Sequence, residues 1–202
     1  MFYELTTLRT AIFGAGKAAA GLEAWIAQGA GTLHGAWFSD IGQLNEVYLL
    51  RGYEEAGEML VERERLARAE DPFGCAEHLV GYEVESYRPL DFMGAIIPGE
   101  FGPVYEIRTY AMKLNGLLPT MEKWQAALPK RNEYSPCTIA MYGVDGAPRL
   151  TQIWPYPSLE ARSAARGQSV ADGNWPPKGG PDWLTPDMRS TVAMPMAFSP
   201  LK

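Results

Sequence analysis

Glu106, Arg108 and Tyr110 fall on alternate residues of the run Val104-Tyr105-Glu106-Ile107-Arg108-Thr109-Tyr110. In a strand, period two puts these three on one face and Tyr105, Ile107 and Thr109 on the other. A carboxylate, a guanidinium and a phenol side by side can orient an anionic or carbonyl ligand in a cavity. The same pair can instead close on itself as an ion pair inside a sheet interface, where an unpaired charge would be costly. Trp154 and Tyr156, with Trp37 and Tyr48, sit on or beside later strands and serve either as core or as the apolar lining of such a cavity. His34 is either a structural histidine or a general base. The candidate ligand-binding set is therefore Glu106, Arg108, Tyr110, Trp154, Tyr156 and His34, with no catalytic residue assigned. Since Arg162 and Arg166 share one helix face at i and i+4, they could meet an acid or a partner, but a solvated face is the default for them.

Other chemistries lack a complete set of parts. Gly14-Ala15-Gly16-Lys17-Ala18-Ala19 fits a dinucleotide fingerprint on paper. A Rossmann unit needs a parallel strand after that helix, and here a hairpin follows. Cys75, Glu77 and His78 are close in sequence, yet a metal site needs a fourth ligand and His34 is the only other histidine. Neither Cys75 nor Cys137 has a basic neighbour to lower its pKa. No metal and no cofactor is expected.

Those residues have to be held by elements, and the elements repeat. Tyr3-Glu4-Leu5 and Tyr105-Glu106-Ile107 open two matching strands, each with a Thr close behind. Helical stretches follow around Trp25 (Lys17–Gln28) and Trp124 (Leu117–Leu128). Each is succeeded by two apolar runs joined by a turn: Gly31–Phe38 and Asn45–Leu50, then Cys137–Tyr142 and Leu150–Trp154. Asp145-Gly146 is a strong hairpin signal. Tyr53 and Tyr156 precede the second helices, Glu54–Glu70 and Pro157–Val170. The copies are spaced by about a hundred residues throughout, the signature of internal duplication. Closing strands are expected at Leu79–Tyr87 and Thr191–Phe198, the latter broken by Pro195.

The order β-α-β-β-α-β in each half predicts an α+β protein of two tandem ferredoxin-like units. One sheet face is covered by helices, so the other must be buried, most simply against the sibling sheet. The units span 1–88 and 103–202, and the Gly- and Pro-rich linker 89–102 carries Phe92, Met93, Ile96 and Ile97 and is expected to pack down. A net charge of −6, from 18 Lys and Arg against 24 Asp and Glu, disfavours a nucleic-acid binder, which would need a basic face. No apolar stretch reaches membrane-spanning length and the chain starts on a strand, so neither a membrane span nor a leader is expected. Two distant cysteines fit a cytoplasmic protein.

Tyr105 to Tyr110, Trp154-Pro155-Tyr156-Pro157-Ser158-Leu159-Glu160-Ala161-Arg162 and Pro195 to Leu201 together resemble the NIPSNAP family. So do Gly16-Lys17, Gly42 to Val47 and Tyr53 in the first half. The resemblance implies a dimeric α+β barrel closed by two ferredoxin-like sheets, as a homo-oligomer or as an intrachain pseudo-dimer. It implies no established reaction. The function expected is binding of a small-molecule ligand or a protein partner through the barrel. The alternative is a cofactor-independent oxygenase or isomerase acting on a small apolar or aromatic substrate. Arg108, Tyr110, Trp154 and Pro155 occur only in the second copy, which favours a site there.

Overall fold

A computed structural model describes residues 1–202. The first half runs β1 (Phe2–Thr10), α1 (Gly14–Ala27), β2 (Thr32–Ile41), β3 (Glu46–Tyr53), α2 (Ala56–Ala67) and β4 (Leu79–Pro89). The second repeats the order as β5 (Val104–Met112), α3 (Leu117–Asn132), β6 (Ile139–Gly143), β7 (Arg149–Tyr156), α4 (Leu159–Ala171) and β8 (Leu184–Pro195). Helix starts are chemically marked. Glu55 and Glu58 form a reciprocal capping box at α2, and Ser158 Oγ accepts from the Ala161 amide at 3.1 Å at α4.

The eight strands close into one barrel in the order β1-β3-β2-β8-β5-β7-β6-β4. Each half contributes a ferredoxin-like sheet, β4-β1-β3-β2 or β8-β5-β7-β6. The seams between them are short: β2 pairs with β8 from Trp37↔Pro195 to Ile41↔Val192, and β4 with β6 from Tyr87↔Gly143 to Pro89↔Met141. Every neighbouring pair is antiparallel, so β1 and β5 run the same way and the halves are related by rotation about the barrel axis. Closure happens within a single chain, which removes the free sheet edges that a lone unit would expose at these seams.

Alternation decides which side chains fill the barrel. Tyr3, Leu5, Trp37, Tyr48, Tyr105 and Ile107 join one interior cluster drawn from both halves. The intervening residues face outward beneath the helices: Leu8 and Leu49 pack with Leu22 of α1 and Leu66 of α2, and Trp154 and Tyr156 with Trp124 and Leu128 of α3. One end of the barrel is stoppered by the linker and the C-terminus. Ile96 and Leu201 are buried there, and Gly99 exchanges backbone hydrogen bonds with Pro200 (3.0 Å) and Lys202 (2.9 Å).

Some element limits differ from expectation. Strand β8 begins at Leu184, well before Thr191, and Pro195 ends it instead of interrupting it. The early residues Leu184–Ser190 pair only with β5, so Pro186 occupies a strand with one open edge, where a missing N–H does no harm. Helix α1 starts at Gly14, and the formal dinucleotide motif is simply its first turn, feeding an antiparallel hairpin. No helix is long and apolar enough to cross a membrane.

Candidate functional site

Each opening strand buries a carboxylate beneath the second helix of its own half, and each carboxylate is met by arginines from that helix and from the strands. In the first half Glu4 takes Arg51 Nη2 at 2.6 Å and Arg63 Nε at 3.1 Å. A second buried acid, Glu62 of α2, takes Arg51 Nη1 at 3.1 Å and Arg65 Nη2 at 2.8 Å and accepts from the Ala30 amide at 3.0 Å. In the second half Glu106 Oε1 accepts from Arg108 Nη1, from Arg162 Nη2 at 2.5 Å and from Ser190 Oγ at 2.7 Å. Arg166 Nη1 lies 3.7 Å from Glu106 Oε2, which has no hydrogen-bond donor. Burial alone would raise the Glu106 carboxyl, but the Arg162 hydrogen bond, the Arg108 charge and Ser190 outweigh it and hold it at about 2. Arg131 of α3 is also fully buried, stacked 4.4 Å over Trp154, and it donates to Tyr156 Oη and the Ser135 carbonyl without any carboxylate partner.

The open end of the barrel is a different environment. A recess of about 370 Å³ lies between β4, β5, β8 and the β6–β7 turn, and a chamber of about 80 Å³ continues from it into the barrel. Glu83, Glu85, Thr109 and Arg189 line both. Below them Tyr87 Oη donates to Glu85 at 3.0 Å and accepts from Arg149 Nε at 2.9 Å and Thr151 Oγ1 at 3.0 Å. Tyr48 Oη donates to Glu46 and lies 3.5 Å from Thr191 Oγ1. Burial, followed by the neighbouring carboxylates, pushes both phenols far above the usual tyrosine range, so at neutral pH they are hydrogen-bond donors and not bases. Arg149 closes on Glu85 at 2.7 Å and Asp145 at 2.6 Å.

A NIPSNAP family model matches the sequence twice, over residues 2–84 and 105–200. The chain belongs to the NIPSNAP family. Its barrel is similar to that of a candidate monooxygenase from Lactobacillus acidophilus NCFM, at 14% identity and a TM-score of 0.63, covering 96% of this chain and 92% of that one. An anthrone oxidase-like protein is 10% identical with a TM-score of 0.66, covering 98% and 93%. A NIPSNAP family protein of unknown function from Agrobacterium tumefaciens str. C58 is 23% identical over 50% of this chain and 96% of its own, at a TM-score of 0.44. No curated protein matches the sequence. At these identities the structural likeness is one of fold.

Within the two NIPSNAP units, the sequence-expected residues divide into groups. Glu106 and Arg108 do pair, with Tyr110 Oη accepting from Arg108 Nε at 2.5 Å, but the pair faces α4 and not the barrel interior. The reason is phase: Tyr105 and Ile107 take the interior, which leaves Glu106 and Arg108 outside. Trp154 and Tyr156 share that outer face and belong to the core beneath α3. His34 is remote from them, in the first unit towards the stoppered end, with its ring 5.4 Å from Tyr3 and its pKa lowered by burial. The solvated face expected for Arg162 and Arg166 is turned onto Glu106 instead. Sequence reasoning passed over the mouth residues Glu83, Glu85 and Arg189. Their signal was available: Glu83 and Glu85 are in phase with Tyr87, so an interior strand face ends in two carboxylates.

Proposed function

We propose that this NIPSNAP-family chain binds a small polar ligand carrying a positive charge in the recess at the open end of the barrel. The observation that supports it is the joined recess and chamber, of a size suited to a small molecule, whose lining carries Glu46, Glu83, Glu85, Asp145 and Asp187 against Arg149 and Arg189. Arg149 pairs with Glu85 and Asp145, and Arg63 reaches Asp145 at 3.6 Å, which leaves Glu46, Glu83 and Asp187 with Arg189 as the remaining cation of the lining. Thr7, Thr109, Thr191 and Tyr48 supply hydroxyls to the chamber deeper in. In this reading units 1–88 and 103–202, joined by 89–102, act as a monomeric pseudo-dimer with the mouth on their shared axis. The free cysteines Cys75 and Cys137 are consistent with a cytoplasmic setting.

The oxygenase or isomerase alternative draws on the descriptions of two fold neighbours and needs an apolar substrate chamber. Against it, the barrel interior is filled by Trp37, Tyr48, Tyr87, Tyr105 and their aliphatic neighbours, and the enclosed chamber is polar and holds only about 80 Å³. Thermal-shift screening of small amines, amino acids and sugars tests the binding reading. A bound compound is expected to raise the Tm of the native chain and not that of Thr109→Phe, whose ring fills the chamber. A panel without a stabilising compound, or a shift that persists in Thr109→Phe, would overturn it.

A further inference from the structure

The two buried carboxylate clusters are related by the repeat but not balanced in charge. Helices α2 and α4 start in register, Ala56 over Leu159, so Arg63 aligns with Arg166 and both meet the opening-strand glutamate. The same register aligns Glu62 with Ala165. In the first unit Glu4 and Glu62 stand against Arg51, Arg63 and Arg65, and Asp145 of the β6–β7 turn, 3.6 Å from Arg63, meets the remaining cation. In the second unit Glu106 stands alone against Arg108, Arg162 and Arg166, a surplus of two. Arg131, buried close by without a carboxylate, adds to the positive field rather than relieving it.

Donors are left over as well as charge. Arg162 Nε is buried with no acceptor, and the Arg166 guanidinium makes no hydrogen bond, only the 3.7 Å contact to Glu106 Oε2. The side chains of Arg162 and Arg166 are 26% and 32% exposed, so the convergence point can be reached from solvent beside the exposed Ser190. Partly buried guanidiniums that share a single acid keep donors and charge to spare, and their planar fork suits recognition of a phosphate group.

We propose that Arg108, Arg162 and Arg166 form an anion site for a phosphate dianion or a phosphate monoester, in which the ligand's two charges offset the two cations that Glu106 alone leaves unbalanced. The site is separate from the barrel mouth, and neither depends on the other. Three residues singled out by type and spacing, Glu106, Arg108 and Tyr110, are its floor.

The test uses the whole chain with inorganic phosphate as the probe, at constant ionic strength set with chloride. Phosphate is expected to raise the Tm of the native chain, and calorimetric titration to give a Kd at least about tenfold weaker for Arg166→Gln. Ala165→Glu restores the acid that the first unit has, and is expected to raise the Tm without ligand while abolishing the phosphate response. If Ala165→Glu does not fold, Arg162→Gln takes its place and is expected to lose the phosphate response as Arg166→Gln does. No phosphate response in the native chain, an equal response in Arg166→Gln, or an equal shift with acetate would each overturn the assignment.

Discussion

A carboxylate with no exposed surface is stable as an anion only because of what surrounds it, and Glu106 is the sharpest case in this chain. Its pKa lies at about 2 in the folded protein against an ordinary value of 4.5. A group depressed in this way contributes stability that is fully present above the unfolded pKa and is lost as pH falls through the folded one. The window is therefore from about pH 4.5 down to about pH 2, and the contribution is on the order of 3 kcal/mol. Urea midpoints measured across that range are expected to fall steeply for the native chain and less steeply for Glu106→Gln, which keeps the shape but has no proton to gain. Equal slopes would mean that the charge around Glu106 does not contribute to stability. The tyrosines at the mouth behave in the opposite sense: burial holds them neutral, so they supply directional hydrogen bonds and no charge.

At the scale of elements, the approach of α1 to the short turn at 72–74 depends on one glycine. A Cβ on Gly21 would lie 1.9 Å from the Gly74 carbonyl oxygen, whereas one on Gly16, earlier in the same helix, would meet nothing within 4 Å. Gly21→Ala is expected to cost about 1–3 kcal/mol as the helix is pushed off its seat. Gly16→Ala is expected to gain up to about 1 kcal/mol from helix propensity alone. Chemical denaturation of the two variants side by side checks the contrast, and matching effects would refute the packing argument. The strands and hairpins that hold these helices were legible in the sequence, because alternation and Asp145-Gly146 are local signals. Tyr-Glu at residues 3–4 and 105–106 announced the repeat for the same reason. Less legible was the destination of the outward faces. Arg162 and Arg166 read as a solvated helix stripe, since nothing in their own neighbourhood names Glu106, which lies on a different element. The early start of β8 was hidden likewise: Asp187, Arg189 and Ser190 look like loop residues until Tyr110↔Met188 and Met112↔Leu184 pairing with β5 draws them into a ladder.

For the whole molecule the decisive feature is that neither half owns a core of its own inside the barrel. Tyr3, Leu5, Trp37 and Tyr48 from the first unit touch the same interior cluster as Tyr105, Ile107, Ile139 and Ile153 from the second. Opening the barrel along either seam would expose that cluster and leave β2 and β8, or β4 and β6, with unpaired edges. The linker and C-terminus add a third tie, since Leu201 is buried against both sheets and Lys202 bonds back to Gly99. Two units separated in sequence are thus coupled in stability, unlike a chain of domains that meet at a small polar interface. Calorimetry is expected to show a single transition with van't Hoff and calorimetric enthalpies in agreement. Loss of the stopper by truncation after Pro195 should lower that one transition rather than split off a second. Two resolved transitions, or a truncation that destabilises only one of them, would show that the units fold independently and that the shared interior is not what holds the barrel closed.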